Sequence, residues 1–268
     1  MSYQNLFNTL WNDYTHRNPH AENIHQLFLA QGEKNILNDH VAFRTFNHPN
    51  INIDVLAKFF IAYGYQEKGT YQFAAKKLFA KHYEHSDPAA PKVFISELLT
   101  HEFSPALQSV VKSCVERIPE SLLDTEQFLY SGASWSPLSY ETYQSLLRES
   151  EYAAWMYAFG FCANHFTVNV NAFDKFNDIS KVNQLLQQNN FMLNSSGGLI
   201  KGAPKDYLEQ SSTMAEEVDV QFEEGIYKIP SCYYEFAKRY PLPTGSLYTG
   251  FVAASADKIF ESTDVLSR

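Results

Sequence analysis

A histidine near the start of a β-rich run occurs twice in the chain, and each time the same succession of elements follows it. The first run is Asp39-His40-Val41-Ala42-Phe43-Arg44-Thr45-Phe46, closed by the turn formers Asn47-His48-Pro49; the second is Asn164-His165-Phe166-Thr167-Val168-Asn169-Val170-Asn171. Aromatic and β-branched residues at this density, bounded by turn residues, predict strands. A helical stretch comes next in both cases: Asp54 to Tyr63, with Val55, Leu56, Phe59 and Phe60 before the stop at Gly64, and about Ile179 to Gln188. Strand-like pieces follow at Tyr71 to Phe73, Lys77 to Tyr83 and Lys92 to Leu98 in the first block. In the second they are Glu217 to Phe222, Ile226 to Ile229 and Cys232 to Phe236, with Phe251 to Ala254 as a further candidate. Both blocks end on a strand bearing a carboxylate, Ile95-Ser96-Glu97-Leu98 and Tyr233-Tyr234-Glu235-Phe236. A unit repeated within one chain buries its apolar face against its copy. The expected fold is therefore α+β, with two βαβββ modules forming a cleft.

The remaining segments read as helix. Residues 1–37 form a preface, with Leu6, Leu10, Trp11 and Tyr14 on one face and Ile24, Leu27, Phe28 and Ala30 after the Asn18-Pro19 break. Residues 38–99 are the first module, 100–162 a helical insertion, and 163–268 the second module with a C-terminal segment, all within one domain. The insertion includes helical stretches from Pro105 to Arg117 and from Tyr140 to Phe159, separated by the loop Ser131-Gly132-Ala133-Ser134-Trp135-Ser136-Pro137.

Charge limits the partners. Against 30 Asp+Glu there are 21 Lys+Arg, a formal net charge of −9, with no basic run longer than two residues. That excludes the electrostatic footprint of a nucleic-acid or anionic-membrane binder. Neither a secretory start nor an apolar membrane span is present in the sequence. Three scattered cysteines, Cys114, Cys162 and Cys232, suit a reducing, cytoplasmic setting and spell out no thiolate zinc site. Small molecules are the expected partners, and any metal must be held by some of the nine histidines together with carboxylates.

If the modules pack side by side, His40 and His165 meet one or both of Glu97 and Glu235. Two imidazoles and a carboxylate with open positions suit non-haem Fe(II) oxygen chemistry. Zn, Ni or Mn could occupy the same ligands, although the helical H-E-x-x-H motif of zinc hydrolases is absent from the sequence. Arg44 lies four residues after His40, on the same strand face, where its guanidinium fork can bind a carboxylate. Each residue also has a plainer reading. A strand histidine is commonly a hydrogen-bonded core group, a strand carboxylate commonly faces solvent, and an arginine commonly makes a surface ion pair worth about 0–1 kcal/mol. His16, His20, His25, His48, His82, His85 and His101 lie in polar or loop-like surroundings and are read as surface residues.

The segments His40-Val41-Ala42-Phe43-Arg44-Thr45-Phe46, Ala163-Asn164-His165-Phe166-Thr167 and Tyr234-Glu235-Phe236-Ala237-Lys238-Arg239 resemble those of the 2-oxoadipate dioxygenase/decarboxylase family. The likeness extends through Ser131-Gly132-Ala133-Ser134-Trp135 to Phe251-Val252-Ala253-Ala254-Ser255-Ala256, and so covers most of the chain from about residue 20. It implies a vicinal-oxygen-chelate-like fold, His40, His165 and Glu235 as ligands of Fe(II), and Arg44 as the anchor for the substrate carboxylate. Glu97 is left a supporting or structural role, or that of a fourth ligand. The implied reaction uses dioxygen to convert 2-oxoadipate to 2-hydroxyglutarate and CO2. Two other functions fit the same residues: a Zn-, Ni- or Mn-dependent isomerase or lyase with Glu97 as ligand or base, and a non-catalytic small-ligand binder.

Overall fold

The computed structural model describes residues 2–263. Two helices open it, α1 (Tyr3–Arg17) and α2 (Pro19–Ala30), with Pro19 at the position where a missing N–H costs nothing. The first module comprises β1 (Asn38–Phe46), α3 (Ile53–Ala62), β2 (Gln66–Phe73), β3 (Leu78–Glu84) and β4 (Lys92–Leu98). The insertion holds α4 (Pro105–Glu116), the short α5 (Glu120–Leu123), α6 (Tyr140–Leu147) and α7 (Glu151–Phe159). The second module runs through β5 (Ala163–Asn169), α8 (Ile179–Gln188), β6 (Lys201–Ala203), β7 (Leu208–Ser212), a hairpin of β8 (Glu217–Phe222) and β9 (Gly225–Pro230), and β10 (Tyr233–Arg239). Last come α9 (Ala253–Ile259) and a 3-10 turn, Phe260–Thr263.

Eight strands form one sheet in the order β2-β3-β4-β1-β5-β10-β7-β6. Each module pairs its first strand with its last in parallel, β1 with β4 and β5 with β10, and the modules join through the antiparallel pair β1–β5. This is the duplicated βαβββ arrangement expected from the sequence. Three details differ. Residues 217–222 and 226–229 pair only with each other, as a separate hairpin, and the module's middle strands are the short β6 and β7. The stretch from Tyr140 to Phe159 is two helices, because Ser150 accepts a hydrogen bond from the Ala153 N–H and starts α7 afresh. Residues 251–254 are not a strand; α9 begins within them.

On the convex side of the sheet, Phe43 packs against Phe60 of α3 with ring centroids 5.5 Å apart, and both rings are buried. Full burial of such a side chain is worth about 1.5–3 kcal/mol. The concave side carries His40, Ala42 and Arg44 from β1, and α7 and α9 cover it. Helix α1 reaches round to the strand behind the histidines: the Tyr14 hydroxyl, itself bonded by Asn18, donates to the Tyr233 carbonyl.

The preface is also tied down at its far end. The Glu33 carboxylate accepts the backbone N–H groups of Asp174, Lys175 and Phe176 at 2.9, 2.8 and 3.0 Å. Burial pushes this carboxyl up, but the three donors outweigh it and hold it below its ordinary value. A carboxyl depressed in the folded state stabilises it above the unfolded value, and that contribution is lost as pH falls through the folded one. Glu33→Gln is therefore expected to cost about 1.5 kcal/mol in urea unfolding at pH 7, with the gap to wild type shrinking as the medium is acidified below the carboxylate range.

Candidate metal centre

The strand register sets three rows of side chains on the concave face. His40, Thr167 and Glu235 are cross-strand neighbours, and the next row is Ala42, His165 and Tyr233. Arg44 follows one step further along β1. His40, His165 and Glu235, all buried, bring one ligand atom each to within 4.8 Å of one another. The Glu235 carboxylate lies 3.7 Å from His40 Nε2 and 3.1 Å from His165 Nε2. Ligands at about 2.1 Å from one ion, set at right angles, stand about 3 Å apart, so the spacing suits a single metal.

Each histidine is preceded by a β-bulge. Between Asn38 and His40 the first strand carries an extra residue, Asp39, and between His165 and Ala163 the partner strand carries Asn164. A bulge re-aims a side chain, and here it turns the residue before each histidine onto its ring: His40 Nδ1 lies 2.8 Å from Asp39 Oδ1, and His165 Nδ1 lies 3.1 Å from Asn164 Oδ1. Because both partners are acceptors, both Nδ1 atoms carry a proton, and both Nε2 atoms face the Glu235 carboxylate. Thr167 Oγ1 sits 3.0 Å from His40 Nε2.

Asp39 is in turn gripped by Arg239, whose Nε and Nη2 donate to its two oxygens at 2.7 and 2.8 Å. Burial would raise the Asp39 carboxyl, but the Arg239 guanidinium and the His40 ring hold it well below the usual range. Burial pushes the His165 imidazole down and Glu235 only partly opposes this, which leaves the ring neutral and able to donate. At Glu235 burial acts upward, and His40, His165 and the Gln210 amide outweigh it, so the carboxylate stays ionised. Two imidazoles and one carboxylate converging on one point form a donor set that suits a metal cation.

Arg44 is almost fully buried, with Nη1 3.0 Å from Glu151 and Nη2 3.0 Å from Thr263 Oγ1. Its guanidinium carbon lies 4.8 Å from the Tyr152 ring and 4.9 Å from the Trp155 ring, so α7 clamps it. Glu97 is elsewhere. It pairs with Thr45 across the sheet, on the opposite face from His40, and accepts from Asn47 and from the Ile53 N–H at the start of α3. It caps a helix there and contributes no atom to this cluster. His82, read as a surface residue, is instead buried on the concave face between Tyr71 and Glu84. Asp39, Asn164, Tyr233, Gln210 and Arg239 were not singled out from the sequence, although the first two stand immediately before the matched histidines. A cavity of about 20 Å³ remains beside the ligands, lined among others by Phe94, Tyr233, Phe251 and Phe260.

Two βαβββ modules sharing one sheet, with a His–His–Glu set at their junction, define a vicinal-oxygen-chelate type of protein. A family model described as 2-oxoadipate dioxygenase/decarboxylase matches residues 3–246. The Arabidopsis thaliana protein named 2-oxoadipate dioxygenase/decarboxylase, chloroplastic, is 37% identical over 282 residues, covering 93% of this chain and 74% of its own. A solved Shewanella frigidimarina structure, described as a hydrolase, is 53% identical with a TM-score of 0.89 and covers 94% of this chain and 98% of its own. The hydroxyglutarate synthase of Oryza sativa, solved with 2-oxoadipate, is 33% identical with a TM-score of 0.90, covering 99% of this chain and 94% of its own. The chain belongs to the 2-oxoadipate dioxygenase/decarboxylase family.

Partners of metal-binding histidines typically matter 10–100-fold for affinity. Asp39→Asn, which weakens the hold on the His40 ring, is expected to reduce the affinity for Co(II) or Zn(II) by about that factor in calorimetric titration, while His165→Ala should abolish specific binding.

Proposed function

We propose that the chain is an Fe(II)-dependent dioxygenase/decarboxylase that converts 2-oxoadipate and O2 to 2-hydroxyglutarate and CO2. Its metal ligands on this reading are His40, His165 and Glu235. The observation that carries it is the buried meeting of two imidazoles with a carboxylate, in a member of a family named for this reaction. Bound Fe(II) supplies open positions for a chelating 2-oxo acid and for dioxygen. The chain's own residues do the rest. Asp39 and Asn164 keep both rings in the donating tautomer. Arg44 anchors the distal carboxylate and so selects which carbon faces the chemistry, a positioning effect of several kcal/mol. Phe94, Phe251 and Phe260 keep bulk water away.

The present cavity has room for about one water, so a six-carbon diacid enters only when the cap formed by residues 251–263 swings aside. That movement breaks the bond from Arg44 to Thr263 and frees the guanidinium for the incoming carboxylate. The hydrolase description of the Shewanella relative favours a second reading, metal-assisted hydrolysis, which consumes no oxygen.

Purified protein with Fe(II) is expected to take up one O2 per CO2 released from 2-oxoadipate, measured with an oxygen electrode and trapped CO2. His165→Ala should do neither, and oxygen-independent turnover would rule out the dioxygenase assignment. Arg44→Ala should lower the preference for 2-oxoadipate over the monocarboxylic 2-oxohexanoate by about tenfold to a hundredfold, with thermal melts as the folding control.

A further inference from the structure

We propose that the Tyr233 hydroxyl is a second donor to the distal carboxylate of the substrate, acting beside Arg44 Nε. This inference rests on the 2-oxo diacid reading above. Tyr233 is fully buried and lines the cavity, yet its hydroxyl has no hydrogen-bond partner among the described residues. Arg44 Nε, on the same face, is another buried donor without a partner among the described residues. A buried polar group left unmatched costs free energy, and two unmatched donors on neighbouring rows of one sheet face suit an anion with several lone pairs.

Position in the sheet decides which end of the ligand they meet. Tyr233 stands beside His165 and Ala42, one step from Glu235, and that step leads toward Arg44. Two residues along a strand cover roughly 6.6 Å, and the five bonds from C1 to C6 of an extended six-carbon acid span roughly 6 Å. A substrate chelated at the ligand row and stretched along β1 therefore brings its far carboxylate level with Tyr233, and Arg44, rooted one row further on, has a side chain long enough to reach back to it. The phenol is also held in direction. Its ring stacks on His165 with centroids 4.6 Å apart and planes at 25°, and its backbone carbonyl is tied by Tyr14. Gln210 also lines the cavity, but its amide N–H is used on Glu235 and its free oxygen is an acceptor that repels an anion.

Tyr233→Phe removes the hydroxyl and keeps the stacking ring. Its test is titration of 2-oxoadipate and of 2-oxohexanoate, the same chain without the far carboxylate, into Zn(II)-loaded wild type and variant. The dissociation constant for 2-oxoadipate is expected to rise about tenfold or more, with 2-oxohexanoate and Zn(II) affinities within about twofold. Because the hydroxyl is unmatched in the ligand-free protein, the melting temperature of the unliganded variant should equal or exceed that of wild type, whereas a structural role would lower it. Unchanged 2-oxoadipate binding, or equal losses for both acids, overturns the assignment alone. A wild type that binds neither acid overturns the diacid reading with it.

Discussion

Two imidazoles and a carboxylate meet where water scarcely reaches. Polar groups gathered with so little water are costly to desolvate, and the surrounding structure holds them in place. Asp39 and Asn164 fix the tautomers, Arg239 holds Asp39, Gln210 holds Glu235, and Thr167 meets His40 Nε2. Behind these, Tyr14 and α1 brace β10 from outside, and Tyr152 of α7 ties its hydroxyl to the backbones of β1 and β4. The helical preface and the insertion thus serve the same few atoms as the sheet.

The symmetry of the two modules extends to the bulges, since each histidine owes its aim to one extra residue placed just before it. It does not extend to the carboxylate. Glu235 lies two residues beyond Tyr233, the strand partner of His165; the matching position in the first module lies two beyond Lys92, the partner of His40, and is Phe94. One module thus contributes a carboxylate where its copy contributes an apolar wall. At this position the duplication leaves a lopsided site, with the three converging side chains on one side and a small cavity bounded by aromatics on the other.

This asymmetry also explains what could be read from the sequence. The histidine-first strands, the helices after them and Glu235 stood out because strand composition and order are local properties. Glu97 looked equivalent to Glu235 because both lie on a closing strand, but side chains alternate between faces, and an odd offset from Lys92 sends Glu97 to the convex side. That parity depends on cross-strand register, which a sequence does not display. Strands β6 and β7 were missed because they are three and five residues long and polar at Gln210-Ser211-Ser212. The more strongly patterned β8 and β9 drew the assignment instead. His82 was misplaced because its polar neighbours Lys81 and Glu84 suggested solvent, whereas its own side chain turns inward toward Tyr71 and Phe251.

Among the described residues the antiparallel pair β1–β5 is the only strand-to-strand ladder joining the two modules, and the His–His–Glu cluster straddles it, with His40 on one side and His165 and Glu235 on the other. An ion held there is a cross-link as much as a reagent. Its binding free energy adds to folding and is spent on keeping the halves in register. Metal binding and cohesion would then be a single property of the seam.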